Sequence, residues 1–318
     1  MTAAPVDLLE RKLLFVTGKG GVGKTTVAAG LALKAASTGR RTLVCEVDAK
    51  GDLSTFLETG PLAFEERRVQ ENLYAMCMQT EESLKEYLRL QLKVPLLARI
   101  GPLARTFDFV ASAAPGVKEI LTVGKFCYEV RERNYDLVVV DASASGHVVS
   151  QLSAPQAINE LVQVGLVRNQ TSWMLDILGD PALTGTVIVA TPQEMPVTET
   201  IELRDRLAAE TDVDLAAVVI NRVLPELFTD SEEAIFERLS SDEGTEALAG
   251  ALDENVGPLF DGARLAVTLR RTQARHLARL RKDLADSAPV LYLPELFTRA
   301  HGVRVTRLVA DALGEELD

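Results

Sequence analysis

Cysteine is scarce and badly placed for chemistry, since the 318-residue chain holds only Cys45, Cys77 and Cys127, far apart and without a CxxC pair. That spacing offers no disulfide framework and no thiolate cage for zinc, and it fits reduced thiols packed as small hydrophobes. Long uncharged runs are missing too. The most apolar stretches, Leu137–Val140 and Val187–Ala190, are too short to cross a bilayer, so no integral membrane segment is expected. Met1–Glu10 lacks the basic and apolar regions of an export signal, which points to a cytoplasmic chain. Nor is there a basic excess: 34 Lys+Arg against 46 Asp+Glu give a net charge of -12, and acidic surface repels phosphate backbones, which disfavours a nucleic-acid partner. Disorder is excluded by the 47% apolar content and the mixed signs of the charges.

What the sequence does have is alternation. Short β-branched runs at Leu13–Thr17, Thr42–Val47, Asn72–Met78, Asp136–Asp141, Thr186–Thr191, Leu215–Asn221 and Pro289–Leu293 are separated by longer amphipathic segments. This is the pattern of an α/β domain with a mostly parallel sheet of about seven strands and helices on both faces. Residues 1–318 read as a single domain. Residues 81–133 read as a helical insertion, because helical spacing there is interrupted by Pro95, Pro102 and Pro115. Leu259–Ala285 reads as one amphipathic helix carrying Arg264, Arg270, Arg271, Arg275, Arg279 and Arg281, for which a solvated outer face is the plainer explanation.

The most specific signal is Phe15-Val-Thr-Gly-Lys-Gly-Gly-Val-Gly-Lys-Thr-Thr26, which fits G-x-x-x-x-G-K-[ST] from Gly18 through Gly23, Lys24 and Thr25. An apolar run precedes it and an Ala/Leu-rich helix follows. The backbone N–H groups of Gly20, Gly21, Val22 and Gly23 and the start of that helix, with Thr26, can therefore converge on a phosphate. Lys24 would neutralise β and γ oxygens, and the Thr25 hydroxyl can ligate Mg²⁺. The expected cofactors are ATP and Mg²⁺.

Lys19, directly after the first glycine, is not required by that pattern, and here a family resemblance begins. The string Gly-Lys-Gly-Gly-Val-Gly-Lys-Thr-Thr resembles the deviant P-loop of the dimeric ATPases that include arsenite-pump, tail-anchored-protein-targeting, and MinD- and ParA-like positioning ATPases. The resemblance implies a P-loop NTPase fold, ATP hydrolysis, and a Lys19 that reaches across a dimer interface to the partner's nucleotide. Asp141-Ala-Ser-Ala-Ser-Gly-His147 resembles the switch II signature D-T-A-P-T-G-H of the arsenite-pump and targeting branch. It keeps Asp141, Gly146 and His147 and replaces Thr and Pro by Ala142 and Ala144. An Asp at the carboxyl end of a buried strand beside a P-loop is placed to hold Mg²⁺ through water. Asp48, in Glu46-Val-Asp-Ala-Lys-Gly-Asp-Leu53, resembles the family's switch I carboxylate that orients the attacking water, although Ala49 replaces Pro and Gly51 replaces His, with Asp52 as the competing position. Asn221 resembles the adenine-binding Asn that ends a strand, and Arg222 and Leu224 break the guanine pattern. Pro294 and Glu295 fall where the family wraps a loop around adenine.

The resemblance implies a homodimer, or a heterodimer with a related ATPase, used as a conformational switch for a transport or protein-targeting client. A nucleotide-binding regulatory subunit with little hydrolysis and a ParA/MinD-like positioning ATPase are the alternatives. The acidic end Leu313–Asp318 argues against a basic membrane-recruiting tail. Leu84, Leu88, Leu90, Leu92, Leu96, Leu97, Phe107 and Phe109 could form an apolar groove for a protein client or membrane partner protein, or could simply be core.

Overall fold

The computed structural model describes residues 8–47, 51–92, 116–161, 166–252, 255–284 and 287–317. Among them, eight strands form one sheet: β1 (Leu13–Gly18), β2 (Thr42–Glu46), β3 (Arg67–Gln70), β4 (Leu73–Cys77), β5 (Leu137–Asp141), β6 (Thr184–Ala190), β7 (Leu215–Val223) and β8 (Val290–Pro294). Their order is β3-β4-β2-β5-β1-β6-β7-β8, and only the β3–β4 pairing is antiparallel. Seven of them coincide, within a residue or two at the ends, with the β-branched runs of the sequence. The eighth adds an edge strand to the expected sheet of about seven: Arg67 and Arg68 of β3 are exposed at the sheet edge, so this strand carries no apolar signal.

The central strands β1, β2, β5 and β6 are buried along their whole length, which is why they read as unbroken apolar runs. Successive residues point to opposite faces and feed two cores. One face packs Phe15, Val138 and Ile188 against helices α4 (Val117–Arg131), α5 (Ser145–Leu161), α6 (Leu166–Leu178), α7 (Glu194–Glu210) and α10 (Gly257–Leu284). The other packs Leu14, Val139 and Val189 against α1 (Lys24–Ser37), α2 (Asp52–Phe56) and α11 (Val303–Leu317). Nearly every residue of α1 from Val27 to Ala36 is buried, since it is wedged between the sheet and α11; its small Ala-rich surface permits that approach.

Within 81–133 the described residues are helical at both ends, in α3 (Thr80–Leu92) and α4. Pro95, Leu96, Leu97, Pro102, Phe107, Phe109 and Pro115 lie outside the described residues. α4 is less an appendage than core, because Val123, Phe126 and Cys127 are buried against the sheet. The remaining helices, α8 (Asp230–Leu239), α9 (Asp242–Leu252) and α10, fill the excursion between β7 and β8. The arginine-rich segment is indeed one helix, of which only Leu277, Leu280 and Leu284 are buried. Among the described residues, no helix is long and apolar enough to cross a membrane.

Candidate active site

β1 delivers the chain to the glycine-rich loop at the carboxyl end of the sheet, where open α/β sheets place their ligands. Gly23 caps α1 with a φ of 98°, a conformation that disfavours side chains, and a Cβ there would also collide with the Asn221 amide. Asn221, at the end of β7, donates from Nδ2 to the Val22 carbonyl at 2.9 Å. The residue expected at adenine is thus also a strut that holds the loop from two strands away. Its Oδ1 accepts from the Arg222 N–H at 2.9 Å.

The loop opens on a cleft of about 340 Å³, lined by Gly20, Gly21, Gly23, Lys24, Thr25 and Thr26 together with Glu46, Asp52, Asp141 and Arg222. Lys24 Nζ donates to the Lys19 carbonyl at 3.2 Å. Lys19 itself is ion-paired in cis with Glu199 of α7, both side chains being about 30% exposed (31% and 28%). On the other side of β1, the Thr25 hydroxyl donates to Asp141 Oδ2 at 2.7 Å.

Such an anion cradle backed by a buried carboxylate suits a phosphate group with a cation beside it. A family model described as anion-transporting ATPase matches residues 11–176 and 167–245. The chain belongs to this ATPase family. It is 29% identical over 232 residues to ATPase BagA of Mycobacterium tuberculosis, covering 70% of this chain and 68% of that one. A Halobacterium salinarum protein described provisionally as an arsenical pump-driving ATPase is 29% identical over 303 residues, covering 88% of this chain but 45% of its own length. ATPase GET3 of Chaetomium globosum is 25% identical over 287 residues, with 78% and 84% covered.

In this ATPase the residues fit Mg²⁺. Asp141 Oδ1 is buried and has no hydrogen-bond partner among the described residues, and with the Thr25 hydroxyl it presents the hard oxygen donors that the ion takes. Burial pushes the Asp141 carboxyl up from 3.8 to about 6, against the lowering effects of the Thr25 hydrogen bond and Lys24, and Glu46 and Asp52 add to the rise. A raised acid contributes stability that is fully present below pH 3.8 and is lost as pH rises through about 6. Asp141→Asn is therefore expected to stabilise the nucleotide- and Mg²⁺-free protein at pH 7.5 by about 2 kcal/mol, with the gain gone below pH 4. Thermal melts across that range check it; a destabilised variant at pH 7.5 would show that the ionised form is favoured.

Of the expected site residues, the cleft gathers Gly20, Gly21, Gly23, Lys24, Thr25, Thr26 and Asp141, whereas Gly18 is buried at the end of β1, against the Val189 backbone, and does not line it. Val22 is buried and contributes its carbonyl to Asn221. Pro294 ends β8 opposite Val223, and the Glu295 N–H donates to the Val223 carbonyl at 2.9 Å, so the two segments expected at adenine adjoin. Asp48 lies outside the described residues, whereas its competitor Asp52 starts α2 and lines the cleft. Gly146 and His147 are exposed in the first turn of α5.

Glu46 was not singled out by the sequence. Only 3% exposed, it accepts from the Gly51 and Asp52 N–H groups at 3.2 and 3.0 Å and so anchors the start of α2 at the cleft. A lone carboxylate in an otherwise apolar strand was the available clue. Away from this cleft, α3, α4, α5 and α6 enclose a second, mainly apolar cavity of about 270 Å³ walled by Leu84, Tyr87, Ile120, Ile158, Trp173 and Met174. Lys125 on its wall pairs with Glu129, Glu86 and Glu66 at 2.7, 3.0 and 3.5 Å and ties α4 to α3 and to the segment before β3.

Proposed function

We propose that this ATPase works as a cytoplasmic, dimeric, ATP-driven switch. The observation that carries the reading is the Thr25–Asp141 pair beside the P-loop lysine, with an unpartnered Asp141 oxygen at the same cleft. Lys24 and the N-terminus of α1 hold the β- and γ-phosphates. Thr25 and Asp141 would hold Mg²⁺, which would supply charge neutralisation at the phosphates. Asp48 orients water in line with the γ-phosphate and takes its proton. Asn221, Pro294 and Glu295 border the adenine.

Lys19 completes the site from the partner, either a second copy or a related chain. Two facing triphosphates repel unless cations intervene, so closure depends on ATP and ADP leaves the dimer open. Closing exchanges the cis ion pair with Glu199 for a contact in trans, and both groups are exposed enough for that exchange to cost little.

The client is an apolar protein segment or membrane partner protein taken up beside α3–α6, where the second cavity lies. Arsenite is not the client. Cys45, Cys77 and Cys127 are all buried, and burial raises each thiol away from the thiolate that soft-ion binding needs. Steady-state phosphate release tests the reading. Turnover per subunit should rise with protein concentration, vanish without Mg²⁺ and ignore arsenite. A rate per subunit that stays constant on dilution through the nanomolar range would remove the dimeric site, and arsenite stimulation would remove the client assignment.

A further inference from the structure

Arg222 differs from the arginines around it. Arg204, Arg264, Arg270, Arg271 and Arg279 each donate to a carbonyl, hydroxyl or carboxylate, and Arg281 lies over the Tyr292 ring. The Arg222 guanidinium has no hydrogen bond or ion pair among the described residues, yet it is exposed on the wall of the phosphate cleft.

Its backbone is held there against local preference. Arg222 has a φ of 61°, a left-handed conformation that residues with a Cβ disfavour, and the β7–β8 register shifts between Ile220 and Val223. An irregularity of that kind turns a side chain out of its normal alternation. Three hydrogen bonds fix it: Asn221 Oδ1 accepts from the Arg222 N–H at 2.9 Å, Gln273 Nε2 of α10 donates to the Arg222 carbonyl at 3.2 Å, and Gln273 Oε1 accepts from the Leu224 N–H at 2.9 Å. Strained, clamped positions of this type mark ligand-contacting residues.

The sheet order says which part of the ligand it meets. Asp141 and Glu46 end β5 and β2 on one side of β1, whereas Arg222 is the penultimate residue of β7 on the other, two strands away. With the phosphates on the loop after β1 and the metal-side carboxylates towards β5 and β2, the base extends towards β7 and β8. We propose that Arg222 is a base-recognition residue whose guanidinium stacks on the purine face of the bound nucleotide, with Gln273 as its positioning residue. A planar, delocalised cation suits a flat π face, and the contact would close over a base that rests near Asn221.

The inference rests on ATP occupying the cleft. Calorimetric titrations of wild type and Arg222→Asn with ATP, ADP and inorganic tripolyphosphate separate the two ideas; Asn tolerates the left-handed backbone, and a melting curve verifies folding. The expected result is affinity for ATP and ADP weakened by about tenfold alike, within a range of ~3- to ~30-fold, with tripolyphosphate binding unchanged. Gln273→Leu should produce a smaller loss with the same pattern. Unchanged nucleotide affinity in Arg222→Asn overturns the assignment, as does a loss confined to ATP or shared by tripolyphosphate, which would put the guanidinium on phosphate. If wild type binds no ATP, the reading of the cleft itself fails.

Discussion

Lys24→Ala is expected to weaken Mg-ATP binding by about 2–5 kcal/mol, roughly 30- to 4,000-fold in Kd, because it removes the cation at the centre of the phosphate cradle. The α1 N-terminus remains, but its partial charge cannot replace a full one beside a triphosphate. The loss extends to the carboxylate side of the cleft, since Lys24 is one of the two influences that lower the Asp141 carboxyl. Without it, Asp141 holds its proton to higher pH, and the Mg²⁺ requirement should steepen below pH 7. Calorimetry of the variant with Mg-ATP checks the main effect, and an affinity within threefold of wild type would contradict it.

Asp48→Asn is expected to leave Mg-ATP affinity nearly unchanged and to lower kcat by about 10²- to 10⁴-fold. An amide keeps the shape of the carboxylate but cannot accept the proton of the attacking water. The assignment rests on sequence position: Asp48 follows Glu46, the last residue of β2, by two residues. Asp52 is the control. It lines the cleft but begins α2, where a carboxylate serves the helix N-terminus, so Asp52→Asn should cost far less turnover. Single-turnover phosphate release reads both variants, and wild-type turnover in Asp48→Asn with loss in Asp52→Asn would reverse the roles.

The parts of this architecture that could be read from the sequence are those whose physics is local. A fully buried parallel strand is an apolar run, and a phosphate loop needs glycines in a fixed order, so β1, β5, β6 and the Gly18–Thr26 segment were all legible. The edge strand β3 was not, because Arg67 and Arg68 face solvent and its single pairing carries no periodicity strong enough to stand out. Long-range partners were equally hidden. Nothing about Glu199 in sequence marks it as the counter-ion of Lys19, 180 positions earlier, and Arg222 read only as a break in the guanine pattern. Asn221 lay in between: its place at a strand end was clear, whereas its bond to Val22 depends on the sheet order that brings β7 within reach of the loop. The arginines of α10 show the reverse case. On a helix that looks like a solvated face, two arginines, Arg270 and Arg271, pair with Glu226, Glu233 and Glu237 of the same excursion.

The central claim is that ATP, and not ADP, brings two of these sites together through Lys19. Light scattering of the Asp48→Asn protein, which should hold ATP without consuming it, measures this directly. With Mg-ATP the mass should be twice the 34.5 kDa of the chain, and the added change Lys19→Ala should return it to a single chain. A mass of 34.5 kDa with Mg-ATP, at concentrations well above the nucleotide Kd and with or without a related partner chain, would contradict the account.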